Sequence, residues 1–264
     1  MTENIIKETD LRESLRVVTS NEFFKALGLE NLTLKARKFL YLSFAQCKLT
    51  DNKFEEQSIK AREFAEWMGI SPSHVYEEAD KITDELMKGF IKYVPEGKKA
   101  FAKCQLYDRC AYSEDAVIYY KLSDDMAPIL LALKKNFTKP LLEDFAKMNS
   151  PFSMEVWHLM QREMNSRKPY GNTVIEFYLS VEELRFVTGT QNTMKQIGQF
   201  KEKVLDKAIR EILENCNVKI TYENVKQRNT IIGFHFTATS VHYIEEEKLT
   251  VEMQKKIEKI QKNS

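Results

Sequence analysis

The feature that most limits what this chain can fold into is an internal recurrence. One pattern appears twice: a short helix, a glycine, a longer helix, then strand-like alternation around a polar tip. A shift of 120 positions lays Ile59 on Leu179, Phe64 on Leu184, Trp67 on Val187 and Gly69 on Gly189. In the first copy, residues 58–69 read as a helix with Phe64, Trp67 and Met68 on one face and Gly69 as its stop. Ser71 and Pro72 have the chemistry of an N-cap and first helical position. The helix they open carries Val75, Ala79, Ile82 and Leu86 at helical spacing to about residue 88. A hairpin over 90–106 with its tip at 95–99 follows, and a strand at 116–122 closes the copy. In the second copy Ser180 and Glu183 form a capping box over 180–189. A helix spans 193–215, and strands at 218–223 and 231–239 flank the tip Lys226-Gln227-Arg228-Asn229. Two helices joined at a glycine and followed by a hairpin outline a helix-turn-helix with a wing. The fold class expected is therefore α+β, two winged-helix domains in tandem.

Around these copies, residues 15–19 read as extended and residues 33–48 as a helix capped by Thr33. Segments 123–133 and 139–148 read as connecting helices, and Ser150-Pro151 starts another that runs to 165. A loop over 167–172 and a strand over 173–179 lead into the second copy. The expected division is a first domain at 1–140, a second at 141–244 and a charged, helical tail at 245–264.

Composition enters mainly to exclude. The formal net charge is +1, so a nucleic-acid partner requires that positive charge gather on one face. Cys47, Cys104, Cys110 and Cys216 form no C-x-x-C pair, and the four histidines add no ligand cluster, so no metal or cofactor is expected. The polar start resembles no signal peptide, and no apolar run approaches the roughly 20 residues of a membrane span. The expectation is a cytoplasmic protein with no membrane partner. Phosphate-loop, nucleophile-elbow and H-E-x-x-H motifs are absent, so no catalytic residue is assigned. Tyr119-Tyr120 supply the residue type a DNA-nicking enzyme uses, but without the paired histidines such chemistry needs; they are expected to pack the first unit.

Projection of residues 193–215 at about 100° per residue gathers Ile197, Phe200, Val204, Ala208 and Ile212 on one side. The other side holds Gln196, Gln199, Lys203, Lys207 and Arg210, with Lys195 at its start. These side chains reach base edges and phosphates: Arg or Lys to guanine, Gln to adenine. Lys201 projects nearer the apolar side. As the second helix of a helix-turn-helix, this is the one that enters a major groove. In the first copy Ser71, Ser73, His74 and Lys81 are the candidate contacts, better suited to phosphates than to dense base readout. Lys98 and Lys99 on one tip, and Lys226, Gln227 and Arg228 on the other, are the candidate wings.

At this point the residues resemble a family. The run from Phe200 to Ile212 is similar to the Phe-Lys-x-x-Val-Leu and Ala-Ile-x-Glu-Ile pattern of plasmid replication initiators that bind repeated origin sites, or iterons. Tyr120-Lys121-Leu122-Ser123 with Leu130, Leu133 and Phe137-Thr138 resembles that family's inter-domain segment. Ser150-Pro151-Phe152-Ser153 with Val156, Trp157 and Leu159 resembles the start of its second domain. The similarity runs from about Val17 to Thr239. Glu155 departs from it, standing where the family usually has arginine. The resemblance implies two winged-helix domains and duplex DNA as partner. It implies monomers on iterons that help open the origin and recruit the host initiator and helicase, and a homodimer that represses its own gene at an operator. The same fold also serves transcriptional regulators without a replication role. A relaxase-type nickase and a protein-interaction module are the remaining alternatives.

Overall fold

A computed structural model describes residues 16–17, 19–47, 53–94, 99–130, 137–138, 141–167 and 174–240. The chain enters as β1 (Thr19–Ser20) and two 3-10 turns, Asn21–Lys25 and Leu29–Asn31. Helix α1 (Leu34–Ala45) follows, capped by the Thr33 hydroxyl, which accepts from the Ala36 amide at 3.3 Å. Every residue of α1 from Ala36 to Ala45 is buried, so this helix is the hub on which other elements pack.

The first winged-helix unit then runs β2 (Gln57–Lys60), α2 (Ala61–Met68), a 3-10 turn Pro72–His74 and α3 (Val75–Lys88). It continues through β3 (Phe90–Tyr93), β4 (Ala102–Gln105), β5 (Tyr107–Tyr112) and β6 (Val117–Leu122). Residues 58–60 are strand, not the start of the expected helix. Ser58 and Ile59 lie opposite Tyr119 and Ile118 of β6, so the ladder satisfies their backbone, and Ile59 is fully buried. Ser71 is the residue before a 3-10 turn, and its hydroxyl caps nothing. Sequence reading missed β5 as a separate strand because a bulge between Tyr107 and Arg109 breaks its alternation.

The connection is a 3-10 turn Asp124–Met126, α4 (Ala127–Leu130), and β7 (Phe137–Thr138), which pairs antiparallel with β1. Helices α5 (Leu142–Lys147) and α6 (Pro151–Ser166) lead into β8 (Val174–Ser180) and α7 (Val181–Val187). The second long helix is built in three parts: α8 (Ile197–Phe200), a π-helical turn Lys201–Leu205, and α9 (Asp206–Cys216). Strands β9 (Val218–Gln227) and β10 (Thr230–Ser240) end the unit. The charged tail at 245–264 lies outside the described residues.

The two three-stranded sheets have the same order, β2-β6-β5 and β8-β10-β9, with the strand before the helix-turn-helix at one edge and the last strand in the centre. The recurrence is thus topological as well as sequential. Ile59 and Leu179 are both fully buried, and so are Phe64 and Leu184. Gly69 and Gly189 both adopt left-handed backbone, φ 64° and 65°. The amides of Ile70 and Thr190 donate to the carbonyls of Ala65 and Arg185 at 2.8 and 2.9 Å, the same bond 120 positions apart.

One continuous apolar core includes both units. Between α1 and α6 it holds a buried polar cluster. Arg37 Nη1 donates to Glu155 Oε1 at 3.0 Å, and the Tyr41 hydroxyl lies 3.1 Å from both Glu155 oxygens and 3.2 Å from His158 Nδ1. His158 Nε2 is 2.7 Å from the Thr19 hydroxyl. Glu155, the departure noted above, is therefore a buried acid whose charge is met by a cation from the first unit. Burial raises its carboxyl against the opposing pull of Arg37, and burial pushes the His158 imidazole down to about 3.

Candidate nucleic-acid interface

In the second unit, the helix-turn-helix is anchored by its predicted capping box. Ser180 Oγ accepts from the Glu183 amide at 3.0 Å, and the Glu183 carboxylate accepts from the Ser180 amide at 3.2 Å. The helix that follows starts at Ile197 rather than at residue 193. Met194 sits at φ 49°, incompatible with a helix, and Gln196 is the N-cap residue. Lys195 and Gln196 are therefore exposed in the turn that feeds the helix, not on its face as expected.

Gln199, Lys203, Lys207 and Arg210 are all exposed on that helix, and Phe200, Val204, Leu205, Ala208 and Ile212 are buried beneath. The regular projection used on the sequence missed the π turn between the two halves. Residues repeating every four positions drift by about 40° per step in a regular α-helix. A π turn takes an extra residue per turn and offsets that drift. Phe200, Val204, Ala208 and Ile212 thereby stay on one side, and Gln199, Lys203 and Lys207 on the other. Lys201 is held elsewhere: its Nζ is 3.3 Å from Asn224 Oδ1 and 5.1 Å from the centre of the Tyr222 ring. Asp206 accepts from the Tyr222 hydroxyl at 2.7 Å, so this acid is drawn toward β9.

The wing of this unit is the β9–β10 hairpin. Lys226 and Gln227 end β9, and Arg228, at φ 55°, forms the two-residue turn with Asn229. All four are exposed.

The first unit is different. By sheet order the counterpart of that wing is the β5–β6 turn, residues 113–116, which carries Glu114 and Asp115. The β3–β4 hairpin, expected as the wing, is an additional two-stranded ribbon. Its β3 is bridged on the other side by Leu27, whose amide donates to the Lys92 carbonyl at 2.8 Å. Lys99 is exposed on this ribbon, and Lys98 lies outside the described residues. The repeat could have revealed this, since helix, strand, turn, strand is the order that the second copy sets. The ribbon's outer face alternates exposed Phe90 and Phe101 with Lys92 and Lys103; Lys92 Nζ is 4.7 Å from the Phe101 ring centre. Ser71, Ser73 and His74 are exposed around the turn before α3, with the two serine hydroxyls 2.9 Å apart. Lys81 is exposed and 3.5 Å from Glu78, which also pairs with Lys35; these lysines hold the Glu78 carboxyl below its usual range, Lys35 most strongly. The candidate cations of α3 are thus partly spent on its own acids.

Among the described residues, no group of three or more His, Cys, Asp or Glu side chains could hold a metal ion. Burial raises the thiols of Cys104 and Cys110, to about 11 and about 12. Tyr120 is buried, its hydroxyl bonded by the Gln46 amide, and it packs edge-on against Phe39. No described helix is long and apolar enough to cross a membrane.

Two helix-turn-helix motifs, each with a three-stranded sheet of one order, define a tandem winged-helix protein. Residues 16–161 match the family described as "Initiator Replication protein, WH1", and residues 180–238 match "Initiator Rep protein, WH2". The first match alone spans more than half of the sequence, and the chain belongs to this replication-initiator family. Among solved structures it is similar to the crystal structure of the Pi initiator protein in complex with iteron DNA. The identity is 19% with a TM-score of 0.70, over 86% of this chain and 97% of that one. A second similarity, 12% identity over 39% of this chain and 84% of that one, is to the WH1 domain of MSBI1.176, a replication protein isolated from a multiple sclerosis patient. Its TM-score is 0.31, too low to carry an argument. Among curated proteins none matches the chain.

Proposed function

We propose that this initiator starts plasmid replication by binding directly repeated iterons as duplex DNA, reading bases chiefly with its second unit. The observation that carries the reading is the exposed row Gln199, Lys203, Lys207 and Arg210 on the second helix of that unit's helix-turn-helix. Membership of the initiator family supports it, as does the shared fold with a relative solved on iteron DNA. Lys195 and Gln196 reach the groove from the turn that leads into the same helix, and Lys226, Gln227 and Arg228 follow phosphates beside it. Ser71, Ser73, His74 and Lys81 position the first unit on backbone phosphates. The working division is 1–140 for the first domain, 141–244 for the second and 245–264 for the tail.

The protein acts in the cytoplasm by assembly rather than by bond chemistry. Monomers on iterons strain the duplex and recruit the host initiator and helicase, whereas a homodimer occupies an operator and represses the gene. The decisive experiment places the gene with its flanking DNA on a plasmid in a host lacking other initiators. Replication, lost when Lys203 and Arg210 are both alanine, supports the reading. Failure to replicate with retained repression of the gene's own promoter would leave the transcriptional-regulator alternative in its place. Nicked circles from supercoiled origin DNA and a divalent metal would point to the relaxase instead.

A further inference from the structure

The turn that leads into the second unit's recognition helix is longer than its counterpart. Up to Thr190 the two units match residue for residue at a spacing of 120, but Val75 corresponds to Ile197, two residues later. The extra length leaves a run of carbonyls over 190–195 that no helix or strand uses. Arg185, from the middle of α7, collects four of them. Its Nη1 donates to the Thr190 and Thr193 carbonyls, both at 3.1 Å, and its Nη2 to those of Met194 at 2.9 Å and Lys195 at 3.3 Å. The guanidinium carbon lies 4.7 Å from the centre of the fully buried Phe200 ring, on the helix that the turn delivers. In the first unit the equivalent position is Ala65, whose carbonyl receives the equivalent backbone bond, and its shorter turn needs no such collector.

We infer that Arg185 is a positioning residue for sequence recognition: a guanidinium staple that fixes residues 190–196 and so sets where Lys195, Gln196 and Gln199 stand against the bases. The inference rests on the DNA-reading role proposed above for its consequence, but not for its geometry. A planar guanidinium offers five donors in a fixed fork and a flat face for an aromatic ring. A lysine at the same place keeps the charge and supplies three donors from one nitrogen, which cannot span four carbonyls and cover Phe200 together. Without the staple, the turn samples several paths, and contacts made from the start of the helix lose their register. Phosphate contacts made by the wing do not depend on that register.

The test compares wild type, Arg185→Lys and Arg185→Ala as full-length chains. The first readout is amide hydrogen exchange in the free protein. The Thr193 and Phe200 amides, which donate to the Thr190 and Gln196 carbonyls, serve as reporters, and those of Phe234 and Phe236 in β10 as controls. Exchange at the reporters rises on the order of tenfold in Arg185→Lys, with the controls unchanged. The second readout is affinity for duplexes that wild type enriches from a randomised 30-bp library, against unenriched duplexes of the same length. Arg185→Lys binds the enriched set about tenfold more weakly, the unenriched set within about twofold, and keeps its salt slope. Unchanged exchange at Thr193 and Phe200 overturns the staple. Equal losses on both DNA sets, or none, overturn its role in recognition. If wild type enriches no sequence, the DNA-reading function and the recognition role fall together, while the exchange data still judge the staple.

Discussion

Arg37, Tyr41, Glu155 and His158 show how much a few buried polar groups decide. The ion pair is nearly inaccessible and has further anchors, since Arg37 Nε donates to the Leu32 carbonyl at 3.2 Å. Removing one partner strands a charge that water cannot reach, so Glu155→Ala should cost about 3–5 kcal/mol in urea unfolding. Arg37→Met with Glu155→Met should cost far less than the sum of the single changes, because no orphan charge remains. A second prediction concerns acid. His158, depressed to about 3 in the fold, binds its proton in the unfolded chain first, so its contribution is lost as pH falls from about 6.5 toward 3. Asp144, which accepts from Trp157 Nε1 at 3.1 Å, is raised to about 6 by burial; its contribution has the opposite sign and is lost as pH rises through about 4 to 6. The two oppose each other in that window. Asp144→Asn removes one side, so stability should fall more steeply with acidification than in wild type, by about 1.4 kcal/mol per pH unit between about pH 6 and 4. Urea titrations at several pH values measure the difference in slope.

At the scale of elements, the second unit carries the exposed row Gln199, Lys203, Lys207 and Arg210, proposed to read bases, and a basic hairpin tip, while the first has an acidic turn in the corresponding position. Lys203→Ala and Arg210→Ala should each cost about 1–3 kcal/mol on a specific site if they meet base edges, measured as the change in Kd against mismatched duplex. Arg228→Ala should weaken binding to all sequences alike and reduce the magnitude of the salt slope by about one. Lys99→Ala should leave the slope unchanged, because Lys99 rides on the extra ribbon rather than on the β5–β6 turn. An unchanged slope in Arg228→Ala, or a reduced one in Lys99→Ala, would reverse this ranking of the hairpins. The capping box is separable from both effects. Ser180→Ala should lower stability by about 1 kcal/mol in thermal or urea unfolding, since the Glu183 amide then loses its acceptor at the start of a short helix.

For the whole molecule, two helix-turn-helix units on one face of DNA would cover roughly two helical turns, and hydroxyl-radical footprints of that length on each repeat are the expected result. A footprint of one turn would mean that only the second unit engages. Much of this architecture was legible in the chain alone. Periodicity, the Ser180–Glu183 box and the left-handed glycines at 69 and 189 are local signals, and they fixed the repeat, the helix-turn-helix pairs and the exposed cationic row. The resemblance added the family. What local signals could not carry was anything decided by distant partners. Ser58-Ile59 became strand because β6 lies beside them, and the first unit's hairpins exchanged roles because sheet order is a property of pairing. The π turn reveals itself only as a departure from the regular helix that projection assumes. Glu155 departs from the family in sequence, and in space it is the answer to Arg37, 118 positions away. The sequence by itself determined the two copies, most of their helices and the caps and turns that bound them, because those preferences are settled over a few residues. The tertiary structure decided which charges are spent inside the fold and which remain to meet DNA, because burial and pairing depend on neighbours that the chain brings together only when it closes.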